Sequence, residues 1–109
     1  MVVKVYYYGR RHRTKALGEY DTATRKMTVY KGSVVSESIA RFKRTEEIKR
    51  LRDQYTNSDG ILLEDVTFDS PSTAAVFVSG YSVNGLMAWH VEKKKSLKAA
   101  LQNIYNYSL

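Results

Sequence analysis

The sequence predicts an α+β domain in which a small, mainly antiparallel sheet packs against two or three helices. Three observations predict it. Alternating β-branched and aromatic residues with turn signals fill the first third of the chain, whereas helical spacing and capping residues dominate the remainder. The 109 residues, 43% of them hydrophobic, suffice for one core and not for two ordinary domains. No repeat, low-complexity run or Pro/Ser/Gly linker marks a boundary, so residues 1–109 are expected to form a single domain.

In the first predicted strand, near residues 2–8, Val3, Val5 and Tyr7 fall on one face and Lys4, Tyr6 and Tyr8 on the other. Both faces carry apolar bulk, so one side should be covered and the other partly so. Gly9-Arg10-Arg11-His12-Arg13 then bends into a basic loop. Strands near 15–20 and 25–30, joined by a turn at Asp21-Thr22-Ala23-Thr24, read as a hairpin because Met27 and Val29 alternate with polar partners. Lys31-Gly32-Ser33 breaks it, and Val34-Val35 begins another extended piece. Residues 36–44 carry Ile39 and Phe42 at helical spacing but no clean cap.

A helix is predicted over 45–56. Thr45 caps it, Glu46 and Glu47 sit in the first turn where the helix dipole favours negative charge, and Ile48, Leu51 and Tyr55 share one face. Lys49, Arg50 and Arg52 are assigned to its solvated side, with Glu46 and Arg50 as an i, i+4 pair. Ile61-Leu62-Leu63 should pack beneath the stretch that follows.

That stretch, FDSPSTAAVFVSGYSVNGLMAW from Phe68 to Trp89, is the most densely punctuated of the chain. Ser70 caps a helix over 71–79 whose first position is Pro71, where a missing N–H costs nothing. Ala74, Ala75, Phe77 and Val78 give it an apolar face, and Gly80 ends it in the left-handed conformation. Asn84-Gly85 suits a type I′ turn, after which Leu86-Met87-Ala88-Trp89 opens a strand near 86–91. Glu92-Lys93-Lys94-Lys95 makes a basic turn. Ser96 caps a last helix over 96–105, whose core face is Leu97, Ala100, Leu101, Ile104 and Tyr105. Taken singly, the residues of the 68–89 stretch have purely structural readings as a cap, a turn and a core tryptophan.

Taken together they resemble a family signature. Ser70, Pro71, Ser72, Ala74, Ala75, Gly80, Asn84, Gly85 and Trp89 are similar to the pattern of the restriction-enzyme adenine-methylase associated (RAMA) domain. The pattern is shared by a relative of unknown function found with GIY-YIG nucleases and DNA methylases. The likeness runs over roughly residues 14–105, with a weaker upstream part at Gly18-Glu19-Tyr20 and Lys31-Gly32-Ser33, and Leu86 stands where members often carry an aromatic. The resemblance implies a DNA-binding or DNA-sensing module without chemistry of its own, working beside a nuclease or methylase.

Charge agrees with an anionic partner. The chain carries a formal net charge of +7 with a pI near 9.7. Residues 1–31 hold eight basic residues against two acidic ones, a net +6, while 32–60 contribute +1 and 61–109 nothing. Arg10, Arg11, Arg13 and Lys15, with Lys93, Lys94 and Lys95 as a second wall, are the candidate phosphate contacts. The N-terminus of the 71–79 helix, with the Ser70, Ser72 and Thr73 hydroxyls, is a candidate anion site, and the Asn84 carboxamide a candidate for a base edge.

An active site is not expected. There is no cysteine, His12 and His90 belong to no metal-binding motif, and the acidic residues Glu64, Asp65 and Asp69 lack a recognised cation-loop spacing. Neither metal nor cofactor is expected. The N-terminus lacks a secretion signal and no run approaches membrane-spanning length, so the expected compartment is the cytoplasm. The competing class is a protein-interaction module, a homodimer or an adaptor for a partner enzyme, anchored by Tyr6, Tyr8 and Trp89.

Overall fold

The computed structural model describes residues 1–9, 14–41, 43–92 and 95–105, the last three by their backbone alone. Six strands, β1 (Val2–Tyr8), β2 (Lys15–Asp21), β3 (Met27–Val29), β4 (Val66–Phe68), β5 (His90–Glu92) and β6 (Lys95–Ser96), form one sheet. Its order is β4-β3-β2-β1-β5-β6, with every neighbouring pair antiparallel. The helices are α1 (Thr45–Tyr55), α2 (Pro71–Ser79), the single turn α3 (Gly85–Ala88) and α4 (Leu97–Tyr105). The α+β class predicted from the sequence is the class observed.

Alternation along β1 and β2 decides which side of the sheet is covered. Val5 and Tyr7 pair with Gly18 and Ala16, and Tyr20 pairs with Met27, all of them buried. Met27 and Val29 pass this face on to Phe68 and Val66 of β4. Against it pack Ala74, Ala75, Phe77 and Val78 of α2, Leu97 and Leu101 of α4, and Trp89, giving one continuous core. Helix α2 is buried nearly all round, because α1 covers its outer side.

Several local expectations hold. Ser70 caps α2, its Oγ accepting the Thr73 N–H at 3.1 Å, with Pro71 at the first helical position. Gly80 has φ +82°, and the Ser96 Oγ accepts the Ala99 N–H at 3.2 Å, as expected of caps. The 15–30 hairpin forms, its turn held by the Arg25 N–H on the Asp21 carbonyl at 2.7 Å.

Four expectations are corrected. Residues 86–88 are not strand: Asn84 has φ −80°, not the positive angle of a type I′ turn, and caps α3 by accepting the Leu86 N–H on its Oδ1 at 3.0 Å. The strand begins only at His90. Thr45 is not a cap but the first residue of α1, and its hydroxyl donates to the Ala40 carbonyl at 2.9 Å. Leu63 is exposed, only Leu62 of its triplet being fully buried. Arg52 lies not on a solvated face but in the core, 8% exposed. Strand β4 is additional, since three residues between acidic neighbours carry too little periodicity to announce a strand.

Candidate nucleic-acid interface

The Ser-Pro-Ser to Trp signature is a packing device. The Trp89 indole is wholly buried and its Nε1–H donates to the Pro71 carbonyl at 3.1 Å. The Ser72 Oγ accepts the Gly85 N–H at 3.0 Å. Gly85 lies so close to α2 that a Cβ there would stand 2.2 Å from both Pro71 C and Ser72 N. Thr73 Oγ1 meets Ser70 Oγ at 3.1 Å and accepts from Arg44 Nη1 at 3.0 Å. The hydroxyls of Ser70, Ser72 and Thr73 therefore already have partners inside the protein, and α3 lies across the helix start proposed as an anion site. Trp89, with no exposed surface, cannot serve as an interface anchor either.

At the other end of α2 sits Arg52. Its Nε donates to the Phe77 carbonyl at 2.9 Å, Nη1 to the Ser36 carbonyl at 2.8 Å, and Nη2 to Ser36 Oγ at 3.0 Å and the Val78 carbonyl at 3.2 Å. The fork thus satisfies carbonyls at the helix C-terminus and ties α1 and the 36–40 segment to α2. Burial pushes its pKa down to about 10, so it remains cationic at neutral pH. Its role is structural.

Among the described residues, no helix covers the opposite face of the sheet. Val2, Lys4, Tyr6 and Tyr8 of β1 point there, as do Lys15, Leu17 and Glu19 of β2 and the two threonines Thr28 and Thr67, whose hydroxyls meet at 2.7 Å. None of these residues is buried. Pairing across strands draws together residues far apart in sequence: Tyr6 sits between Leu17 and His90, and Tyr8 opposite Lys15. The Tyr6 and Tyr8 rings lie 4.8 Å apart and the Tyr6 and His90 rings 5.9 Å. Lys15 Nζ stands 5.6 Å from the Tyr8 ring centre, and Lys4 Nζ 4.8 Å from that of Tyr30, to whose hydroxyl it also donates. That hydrogen bond raises the Lys4 pKa above its ordinary value.

Around the Tyr8 end, Tyr7, Tyr8, Tyr81, Val83, Asn84, Met87, Ala88 and His90 line a shallow cleft of about 360 Å³. Tyr81 and Met87 are each about half exposed, and the Tyr7 and Tyr81 hydroxyls lie 3.3 Å apart. Burial raises the Tyr7 phenol pKa, so it stays neutral.

Of the residues singled out in the sequence, the fold brings Lys15 and Asn84 to this same end of the sheet. Lys95 is not part of that wall. Because β5 runs antiparallel to β1 from the Tyr6–His90 pair, Lys95 lies toward the Lys4 end, with its Nζ 3.5 Å from Glu92. Arg10, Arg11, Arg13, Lys93 and Lys94 lie outside the described residues. Tyr30, Tyr81, Met87 and His90 were not anticipated here. Alternation in β1 signalled Tyr6 and Tyr8, but only strand pairing places Tyr30 and His90 beside them. Among the described residues, no three His, Asp or Glu side chains converge on a metal position, and no helix is long and apolar enough to cross a membrane.

The architecture defines an α+β domain whose six-stranded sheet has helices on one face and an open, aromatic and basic surface on the other. The chain belongs to the family described as domain of unknown function DUF4357, whose model matches residues 7–101. No curated protein and no solved structure matched the chain.

Proposed function

We propose that this domain is a non-catalytic DNA-binding or DNA-sensing accessory module of a DNA modification or restriction system, acting in the cytoplasm beside a nuclease or methylase. The observation that carries the reading is the distribution of charge: net +6 in residues 1–31, the segment that supplies β1, β2 and β3. Lys15 and the run Arg10, Arg11, Arg13 between β1 and β2 in sequence supply the phosphate contacts. Asn84, exposed beside Tyr8, offers the remaining capacity of its carboxamide to a base edge. Ser72 serves the site by holding Gly85 of α3 and thus Asn84 in place, while Ser70 and Thr73 fix the start of α2 on which α3 rests. The resemblance of the 70–89 signature to the RAMA domain supports the link to nucleases and methylases.

A protein-interaction module is the second reading. The half-exposed Tyr8, Tyr81 and Met87 around the cleft favour it, with Tyr6 and Tyr8 retained as anchors.

Fluorescence anisotropy on duplex, single-stranded and adenine-methylated DNA tests the proposal. With about four to six phosphates neutralised, log affinity falls against log salt with a slope of roughly −4 to −5. Arg11→Ala weakens binding to all sequences alike, and Asn84→Ala does so selectively. Failure to bind any of the three DNAs more tightly than about 10⁻⁴ M at low salt overturns it. A tight dimer indifferent to DNA, seen by light scattering, supports the second reading instead.

A further inference from the structure

We propose that the open face of the sheet is a stacking platform for single-stranded DNA, with Tyr8, Tyr6 and His90 receiving unpaired bases and Lys15 and Lys4 receiving the backbone beside them. The inference rests on the DNA-binding reading and names the form of DNA.

The first support is geometry. Three rings from two strands form one contiguous surface, at 4.8 and 5.9 Å between neighbouring centres, with Tyr8 57% exposed. Tyr30 lies one strand beyond Leu17 on the same row, its N–H on the Leu17 carbonyl at 2.8 Å. From His90 across β1 and β2 to Tyr30 is about 14 Å at the usual strand spacing. That is room for roughly two or three stacked bases, the number that aromatic residues on a four-stranded sheet accommodate in RNA-recognition domains.

The second support is charge complementarity. Lys4 and Lys15 on this face stand over the Tyr30 and Tyr8 rings, so a base on the ring has a cation within reach of its phosphate. The acidic residues of the face are at the other end from Tyr8: Glu19 pairs with Lys4 across the strands, and the Asp21 carboxylate accepts the Ala23 N–H at 2.9 Å.

Duplex DNA fits this surface less well, since its base faces are already stacked on one another and only groove edges and phosphates are offered. A second copy of the chain fits poorly too. Lysine, glutamate and threonine interrupt the rings, whereas the centre of an obligate interface is depleted of charge.

The test compares fluorescein-labelled 12-mers, single-stranded and duplex, on the full chain at low salt. Single-stranded DNA is expected to bind at least tenfold tighter than its duplex. Tyr8→Leu should weaken single-strand binding by roughly tenfold, in the range for loss of one stacked base, while leaving duplex binding unchanged. Tyr8→Trp should restore it. A 2-aminopurine in the strand should be quenched on binding by the wild type and less so by Tyr8→Leu. Retention of the buried Trp89 emission shows that each variant is folded.

If duplex binds as tightly as single strand, or Tyr8→Leu leaves single-strand affinity unchanged, the platform is overturned while DNA binding stands. Binding to neither form overturns both readings. Single-stranded RNA of the same sequence binding tenfold tighter than DNA overturns the choice of DNA.

Discussion

At the scale of single residues, Arg52 shows how far context can override composition. In sequence it is one of several cations on a charged helix, yet it reaches three backbone carbonyls and a serine hydroxyl in the core. Arg52→Met removes the guanidinium donors of the Phe77 and Ser36 carbonyls, the Val78 carbonyl keeping the Ser36 N–H at 2.9 Å, and should lower stability by about 3 kcal/mol, seen as a fall in the urea midpoint at unchanged slope. Arg52→Lys should recover little, because a point charge with three donors does not reproduce the planar fork. A lysine variant as stable as wild type would show that the charge matters there and the fork does not.

Among the elements, α2 and α3 meet at a close backbone junction. Gly85 meets the backbone of Pro71 and Ser72, and backbone cannot swing aside as a side-chain tip can. Gly85→Ala should therefore displace α3 and cost about 3 kcal/mol by overpacking, read out by thermal or chemical denaturation. A stability loss below about 0.5 kcal/mol would mean that α3 moves freely over α2. The same junction explains why Leu86-Met87-Ala88-Trp89 reads as strand in the sequence and folds as a helical turn. Four consecutive apolar residues have no distinguishable period, and the choice between strand and helical turn fell to the Asn84 cap and the glycine contact.

For the whole molecule, stability should fall on the acid side. Arg44, through its hydrogen bonds to Glu47 at 2.8 and 3.2 Å, holds that carboxyl below its ordinary value of 4.5. The Ala23 N–H holds Asp21 below 3.8. Depressed folded-state values stabilise the protein above the unfolded values and lose that contribution as pH falls through the folded ones. The net charge of +7 also grows as carboxylates protonate, adding repulsion. The thermal midpoint should therefore drop below about pH 4.5, and Glu47→Gln should flatten part of that drop. The Glu47 side chain is 45% exposed, so solvent screening limits its share to about 0.5 kcal/mol. An unchanged acid limb in Glu47→Gln would show that the pair carries none of it.

What the sequence determined by itself were the features that depend on near neighbours. The α+β class, the 15–30 hairpin, the Ser70 and Ser96 caps, the Gly80 terminator and the inward and outward faces of β1 all follow from spacing, propensity and cap chemistry within a few residues. The tertiary structure alone decided the rest. It buried Arg52, converted 85–88 into a helical turn, made β4 a strand, occupied the Ser-Pro-Ser hydroxyls internally, and set His90 and Tyr30 on the face that carries Tyr6 and Tyr8. For most of these a deciding partner is distant in sequence, Ser36 and Phe77 for Arg52, Pro71 for Gly85 or Tyr6 for His90, and hydrogen bonding, close packing and strand register between such partners exist only once the chain has folded.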